Sequence, residues 1–94
     1  MNIGLDYDDT YTRDPATWNA VIALMRAAGH KVYVVTWRFA YECNTVSYNL
    51  AARVDGIYPT GRKAKEAYMY AQGVSIDVWI DDNPRAILHT MEGH

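Results

Sequence analysis

The stretch "NIGLDYDDT", residues 2–10, begins as an apolar run of strand length and breaks into three carboxylates within four positions, Asp6, Asp8 and Asp9. Asp14 follows close behind. Carboxylates at this density repel one another and cost stability unless a cation or a solvated loop relieves them. A bounded run such as "NIGLDY" (2–7) reads as a buried strand. The acidic residues therefore fall at its carboxyl end, where open α/β sheets bind ligands.

Working outward, "KVYVVT" (31–36) is a second strand. Between the two lies a helix with Asp14 as N-cap, Pro15 at its first position and Gly29 past its end. Trp18, Val21, Ile22 and Met25 recur on one face of it. A second helix is expected over 40–53, burying Phe39, Cys43, Val46 and Leu50, then a short strand around "DGIYP". A third helix is expected from Arg62 to Gln72, burying Ala64, Ala67, Tyr68 and Ala71, with Gly73 stopping it. Residues 76–80 form a fourth strand, and Asn83 and Pro84 cap and open a last helix. Strands alternating with helices imply a small Rossmann-like α/β/α sandwich on a parallel four-stranded sheet. Order 3-2-1-4 brings Asp6, Asp8, Thr36 and Asp81 to one crevice. Such a set of hard oxygens suits Mg²⁺, which takes a few carboxylates and completes its shell with water and substrate phosphate.

Composition narrows the rest. A chain of 94 residues is one domain, residues 1–94, and a formal charge of −2 gives no general attraction to nucleic acid or anionic membrane. No run reaches the length of a membrane span, and the start lacks the pattern of a secretory signal. Cys43 has no cysteine to pair with and reads as core, so a reducing cytoplasm is the default address. His30, His89 and His94 lack metal-ligand spacing. There are no repeats, and no glycine-rich dinucleotide loop or Walker sequence.

With these residues in place the chain resembles the haloacid dehalogenase superfamily phosphatases. "DYDDT" matches their D-x-D-x-T pattern, Thr36 after a hydrophobic strand matches the second motif, a Lys on the penultimate helix the third and Asp81-Asp82 the fourth. The likeness runs from Ile3 to about Pro84, and "VWIDDNP" is most similar to the phosphatase domains of polynucleotide kinase-phosphatases and some deoxyribonucleotidases. The resemblance implies that Asp6 is a nucleophile forming an aspartyl-phosphate. It makes Asp8 the general acid and then base, with its backbone carbonyl on the metal. Asp81 becomes a Mg²⁺ ligand supported by Asp82, Thr36 a donor to the phosphoryl group, and a lysine the neutraliser of its charge. Periodicity does not choose between Lys63 and Lys65; "KEAYMY" resembles the corresponding helix and favours Lys65.

Members of that superfamily often carry a cap domain. Here only three residues separate Thr10 from Asp14, and about two dozen separate Thr36 from Gly61, so the fold is capless and its site is open or closed by a second subunit. Tyr11, Trp37 and Arg38 fall beside the crevice. Aromatic stacking and an Arg clamp there suit a nucleotide or the phosphorylated end of a nucleic acid. Trp37 reads equally well as core packing. Arg13, Arg38 and Arg62 all fall just past strand ends or at helix starts, where one or two of them can clamp a phosphate. Asp9 and Asp14 read as solvated or capping residues. The alternatives are a phospho-acceptor signalling domain, whose motif order differs, and a non-catalytic binding module.

Overall fold

Alternate residues of the two central strands face opposite ways, and each set meets its own helices. The computed structural model describes residues 1–90; His94 lies outside them. Strands β1 (Asn2–Leu5) and β2 (Lys31–Thr36) turn Ile3, Leu5, Val32 and Val34 to one face. There they pack with Ile22 of α1 (Pro15–Ala27) and with Val46 and Leu50 of α2 (Asn44–Leu50). Tyr33 and Val35 face the other way, onto Met69 of α3 (Lys65–Ala71). Each such side chain, fully buried, stabilises the fold by about 1.5–3 kcal/mol. With β3 (Gly56–Pro59) and β4 (Val78–Ile80) the sheet is parallel throughout, in the order β3-β2-β1-β4. Helices cover both faces, which is why the central strands are apolar without a break. The Rossmann-like sandwich of order 3-2-1-4 is the fold. Among the described residues no helix is long and apolar enough to cross a membrane.

The first crossover forms as its residues dictate. The Asp14 carboxylate accepts the Thr17 N–H at 3.3 Å, Pro15 opens α1, and Gly29 ends it in the left-handed region at φ 91°. The Asp6 N–H donates to Ile80 O at 2.9 Å, which continues the β1–β4 ladder by one bond and fixes Asp6 at the sheet's edge.

Several expectations need correcting. The helix over 40–53 is a 3₁₀ turn (Ala40–Glu42) followed by the short α2, because the Glu42 carboxylate accepts the Phe39 N–H at 2.8 Å and closes a separate turn. Phe39 is half-buried and lies outside the core clusters. The third helix starts at Lys65 rather than Arg62, since Gly61 and Arg62 have left-handed backbone, φ 61° and 71°, that cannot join an α-helix. Its buried residues are Lys65 and Met69, preceded by buried Ala64, while Ala67 and Ala71 are exposed. At the far end β4 is shorter than 76–80, and α4 (Arg85–Leu88) has Pro84 at its N-cap with no side-chain cap from Asn83.

Gly4 occupies its strand for lack of space rather than for conformational freedom. A Cβ there would sit 2.7 Å from the Trp79 ring and 3.1 Å from Ile76. Gly4→Ala is therefore expected to lower stability by about 1–3 kcal/mol, the range for overpacking, read as a fall in the urea midpoint followed by tryptophan fluorescence. An unchanged midpoint would show that Trp79 has room to move aside.

Candidate functional site

The chain segments that leave the carboxyl ends of β1, β2 and β4 turn polar side chains into a crevice of about 220 Å³. Asp6, Asp8, Thr36, Trp37, Lys65, Asp81 and Asp82, all anticipated from the sequence, line it, together with Asp9 and Arg62.

Lys65 stands at its floor with a side chain only 2% exposed. Its ammonium donates to Asp6 Oδ1 at 2.8 Å and to Asp81 Oδ2 at 2.6 Å. Lys63 is exposed, so Lys65 is the lysine of the crevice. Asp81 is fixed further by the Asn83 N–H, which donates to its Oδ1 at 2.9 Å. Thr36 is fully buried, and its hydroxyl oxygen accepts the Arg38 N–H at 3.3 Å, leaving its proton to be offered elsewhere.

Asp6, Asp81 and Asp82 each present an oxygen within 4.8 Å of the others, an arrangement that can hold a metal ion. Three carboxylates against one ammonium leave an excess of two negative charges. Burial, opposed by the pull of Lys65 and aided by a hydrogen bond with Asp82, pushes Asp6 up to about 7. The same hydrogen bond holds Asp82 below the usual carboxylate range. In the metal-free molecule the excess charge is thus relieved by a proton on Asp6, whereas a bound cation would relieve it directly.

The Asp8 carboxylate is not in this group. Arg38 grips it with two bonds, Nε to Oδ2 at 2.9 Å and Nη2 to Oδ1 at 2.8 Å, and Asp8 in turn draws the guanidinium's pKa upward. Arg38 also donates to Glu42 O at 2.8 Å and lies 5.2 Å over the Tyr7 ring. So committed, it is not the substrate clamp expected of it. Tyr11 is likewise corrected. The acidic loop coils back, with the Tyr11 N–H on Asp6 O and the Thr12 N–H on Tyr7 O, so the Tyr11 ring enters the core and stacks on Tyr7 at 5.6 Å. Its hydroxyl donates to Asn19 Oδ1 at 2.7 Å.

Two further residues bear on the site, Thr10, which had no part beyond the motif itself, and Arg62, one of the arginines expected as a phosphate clamp. Thr10 Oγ1 lies 3.1 Å from Asp6 Oδ2 and 3.2 Å from Asp82 Oδ1, its proton serving one at a time, and it accepts the Asp82 N–H at 3.2 Å. The closing Thr of "DYDDT" was the available signal. Arg62 enters the crevice through the left-handed turn at Gly61-Arg62, which no pattern announces. No protein-family model matches the chain, and neither a curated protein nor a solved structure does.

Two outcomes follow from the charge balance. Lys65→Met strands two buried carboxylates and is expected to cost about 3–5 kcal/mol, whereas Lys63→Met, at an exposed position, should stay within about 0.5 kcal/mol; chemical denaturation compares them. In metal-free protein, the folded state keeps a proton on Asp6 that the unfolded chain releases above pH 3.8. This group's contribution therefore falls as pH rises from about 4 to 7 and is level above that. Asp6→Asn should flatten that part of the stability–pH curve and raise stability at pH 8; a curve of unchanged shape would contradict the assignment.

Proposed function

We propose that the chain is a Mg²⁺-dependent phosphomonoester hydrolase of the haloacid dehalogenase type, acting through an aspartyl-phosphate on Asp6. The observation that carries this reading is the contact of the buried Lys65 ammonium with Asp6 and Asp81 in a crevice that Thr36 also lines. A carboxylate, a hydroxyl and an ammonium from three separate elements are the groups that in-line phosphoryl transfer needs for attack and charge stabilisation.

Asp6, Asp81 and Asp82 would hold the cation, and their all-oxygen donor set with two uncompensated charges fits a hard divalent ion. Bound there, the ion supplies positive charge that keeps Asp6 ionised and neutralises charge on the phosphoryl group. An Asp6 oxygen attacks phosphorus and the ester P–O bond breaks. Asp8 gives its proton to the departing alkoxide, then takes one from the water that attacks the aspartyl-phosphate, which releases phosphate and restores Asp6. Lys65 and Thr36 hold the phosphoryl oxygens during both displacements. For Asp8 to act, one of its two bonds to Arg38 must open and the freed oxygen take up a proton from solvent, the proton it then gives to the leaving group. The Asp8 side chain is 48% exposed, so solvent can take the place of the bond that opens.

Steady hydrolysis of p-nitrophenyl phosphate is expected in Mg²⁺, lost with a chelator and reduced at least about a thousandfold in Asp6→Asn. A single stoichiometric release of nitrophenol without turnover would make the chain a phospho-acceptor instead. Undiminished turnover in Asp6→Asn would refute the covalent route.

A further inference from the structure

The crevice mouth holds one cation that this chemistry leaves unused. Arg62 lines the crevice, and Glu42 Oε1 lies 3.9 Å from it, beyond hydrogen-bond reach, while accepting the Phe39 N–H instead. The left-handed backbone of Arg62 is one that a non-glycine residue adopts at a cost. Two bonds hold it there, Gly61 N–H to Arg38 O at 3.1 Å and Arg62 N–H to Trp37 O at 2.9 Å, so the turn after β3 is fastened to the loop after β2. Held this way, the guanidinium lies 5.3 Å over the Phe39 ring. Phe39 in turn stacks on Tyr41 at 5.6 Å with only 4° between the rings. Gly61 permits the approach, since a Cβ there would come within 3.0 Å of Phe39. Tyr41 is 79% exposed and adds nothing to either core cluster. An arginine at the crevice thus leads into a ladder of parallel rings that ends on open aromatic surface.

We propose that Arg62, Phe39 and Tyr41 are the specificity surface of the site, selecting phosphate monoesters whose alcohol carries a planar aromatic ring. The phosphate enters the crevice, Arg62 adds a second positive charge at its mouth, and the ring extends the Phe39–Tyr41 stack. This rests on the hydrolase reading for the position of the phosphate. A nucleoside monophosphate and an aryl phosphate share the required chemistry.

Calorimetric titration of Asp6→Asn in Mg²⁺ tests it with two ligand pairs that differ in the ring, adenosine 5′-monophosphate against ribose 5-phosphate and phosphotyrosine against phosphoserine. The ring-bearing member of one pair should bind about fivefold or more tightly, and the pair that shows the preference identifies the source of the ring. The preference should vanish in an added Tyr41→Ala, a change at an exposed position, and shrink in Arg62→Ala. KM values of the wild type for the same four compounds give a second readout independent of the Asp6 change. Equal affinity within both pairs, a preference that survives Tyr41→Ala, or no binding of any of the four overturns the proposal. Turnover separates the two readings: hydrolysis of both members of each pair with equal KM removes the specificity surface and keeps the hydrolase, while ring-selective binding without turnover does the reverse.

Discussion

A lysine ammonium taken almost wholly out of water is the constraint around which the molecule is arranged. Even after relaxation, burying such an ion costs several kcal/mol, and only close counter-charges offset that. Lys65 finds two, Asp6 at 2.8 Å and Asp81 at 2.6 Å. These carboxylates follow directly on β1 and β4, the pair of strands joined by the Asp6–Ile80 hydrogen bond, and the ammonium comes from the first residue of α3. One ion triad therefore ties two strand ends and a helix start. It also dictates where α3 begins, because the helix has to present Lys65 to the sheet's edge in its first turn while Met69, one turn on, enters the core.

The triad solves the burial of Lys65 and creates a second difficulty, since Asp82 brings a third carboxylate to the same place. Thr10 softens the contact by serving both Asp6 and Asp82 and by accepting the Asp82 N–H, which binds the loop after β1 to the loop after β4. A hydroxyl adds no charge, however. The remaining excess can be met by a proton on Asp6 or by a cation among the three carboxylates. These are competing answers to one electrostatic problem, so a cation that binds among the three carboxylates has to displace the proton of Asp6.

Much of this was legible from the chain. Four apolar runs marked the strands, and the order supposed for them, 3-2-1-4, is the one observed; it brings Asp6, Asp8, Thr36 and Asp81 to one crevice because each lies at or just past the carboxyl end of a strand. What misled was helix phase. Ala64, Ala67, Tyr68 and Ala71 share one face at helical spacing, whereas the face that is buried is that of Lys65 and Met69, and a buried charge cannot be seen by a search for apolar periodicity. Tyr11 and Arg38 were misplaced for a related reason. Adjacency to an acidic motif says nothing of whether a loop coils back, and here the backbone bonds from Tyr11 and Thr12 to Asp6 and Tyr7 turn Tyr11 inward, while the Asp8 carboxylate claims Arg38.

The backbone marks the same crevice independently of any side-chain chemistry. Among the described residues the non-glycine positions with positive φ are Asp9 and Arg62, and both line it. Gly29 and Gly73 also have positive φ, but they end helices with open space about them, a task glycine performs without strain. Asp9 and Arg62 end no helix. Strain of this kind costs on the order of 1–3 kcal/mol per residue, a sizeable share of the roughly 5–15 kcal/mol that holds a domain folded. It persists because neighbours fix it, the Thr12 hydroxyl accepting the Asp9 N–H at 3.0 Å and Trp37 O accepting that of Arg62. The physical cause is the shortness of the loops. Where only a few residues separate a strand from the next helix, a chain that must turn polar side chains back over the sheet's edge has no length for a wide bend, and left-handed residues make the reversal instead.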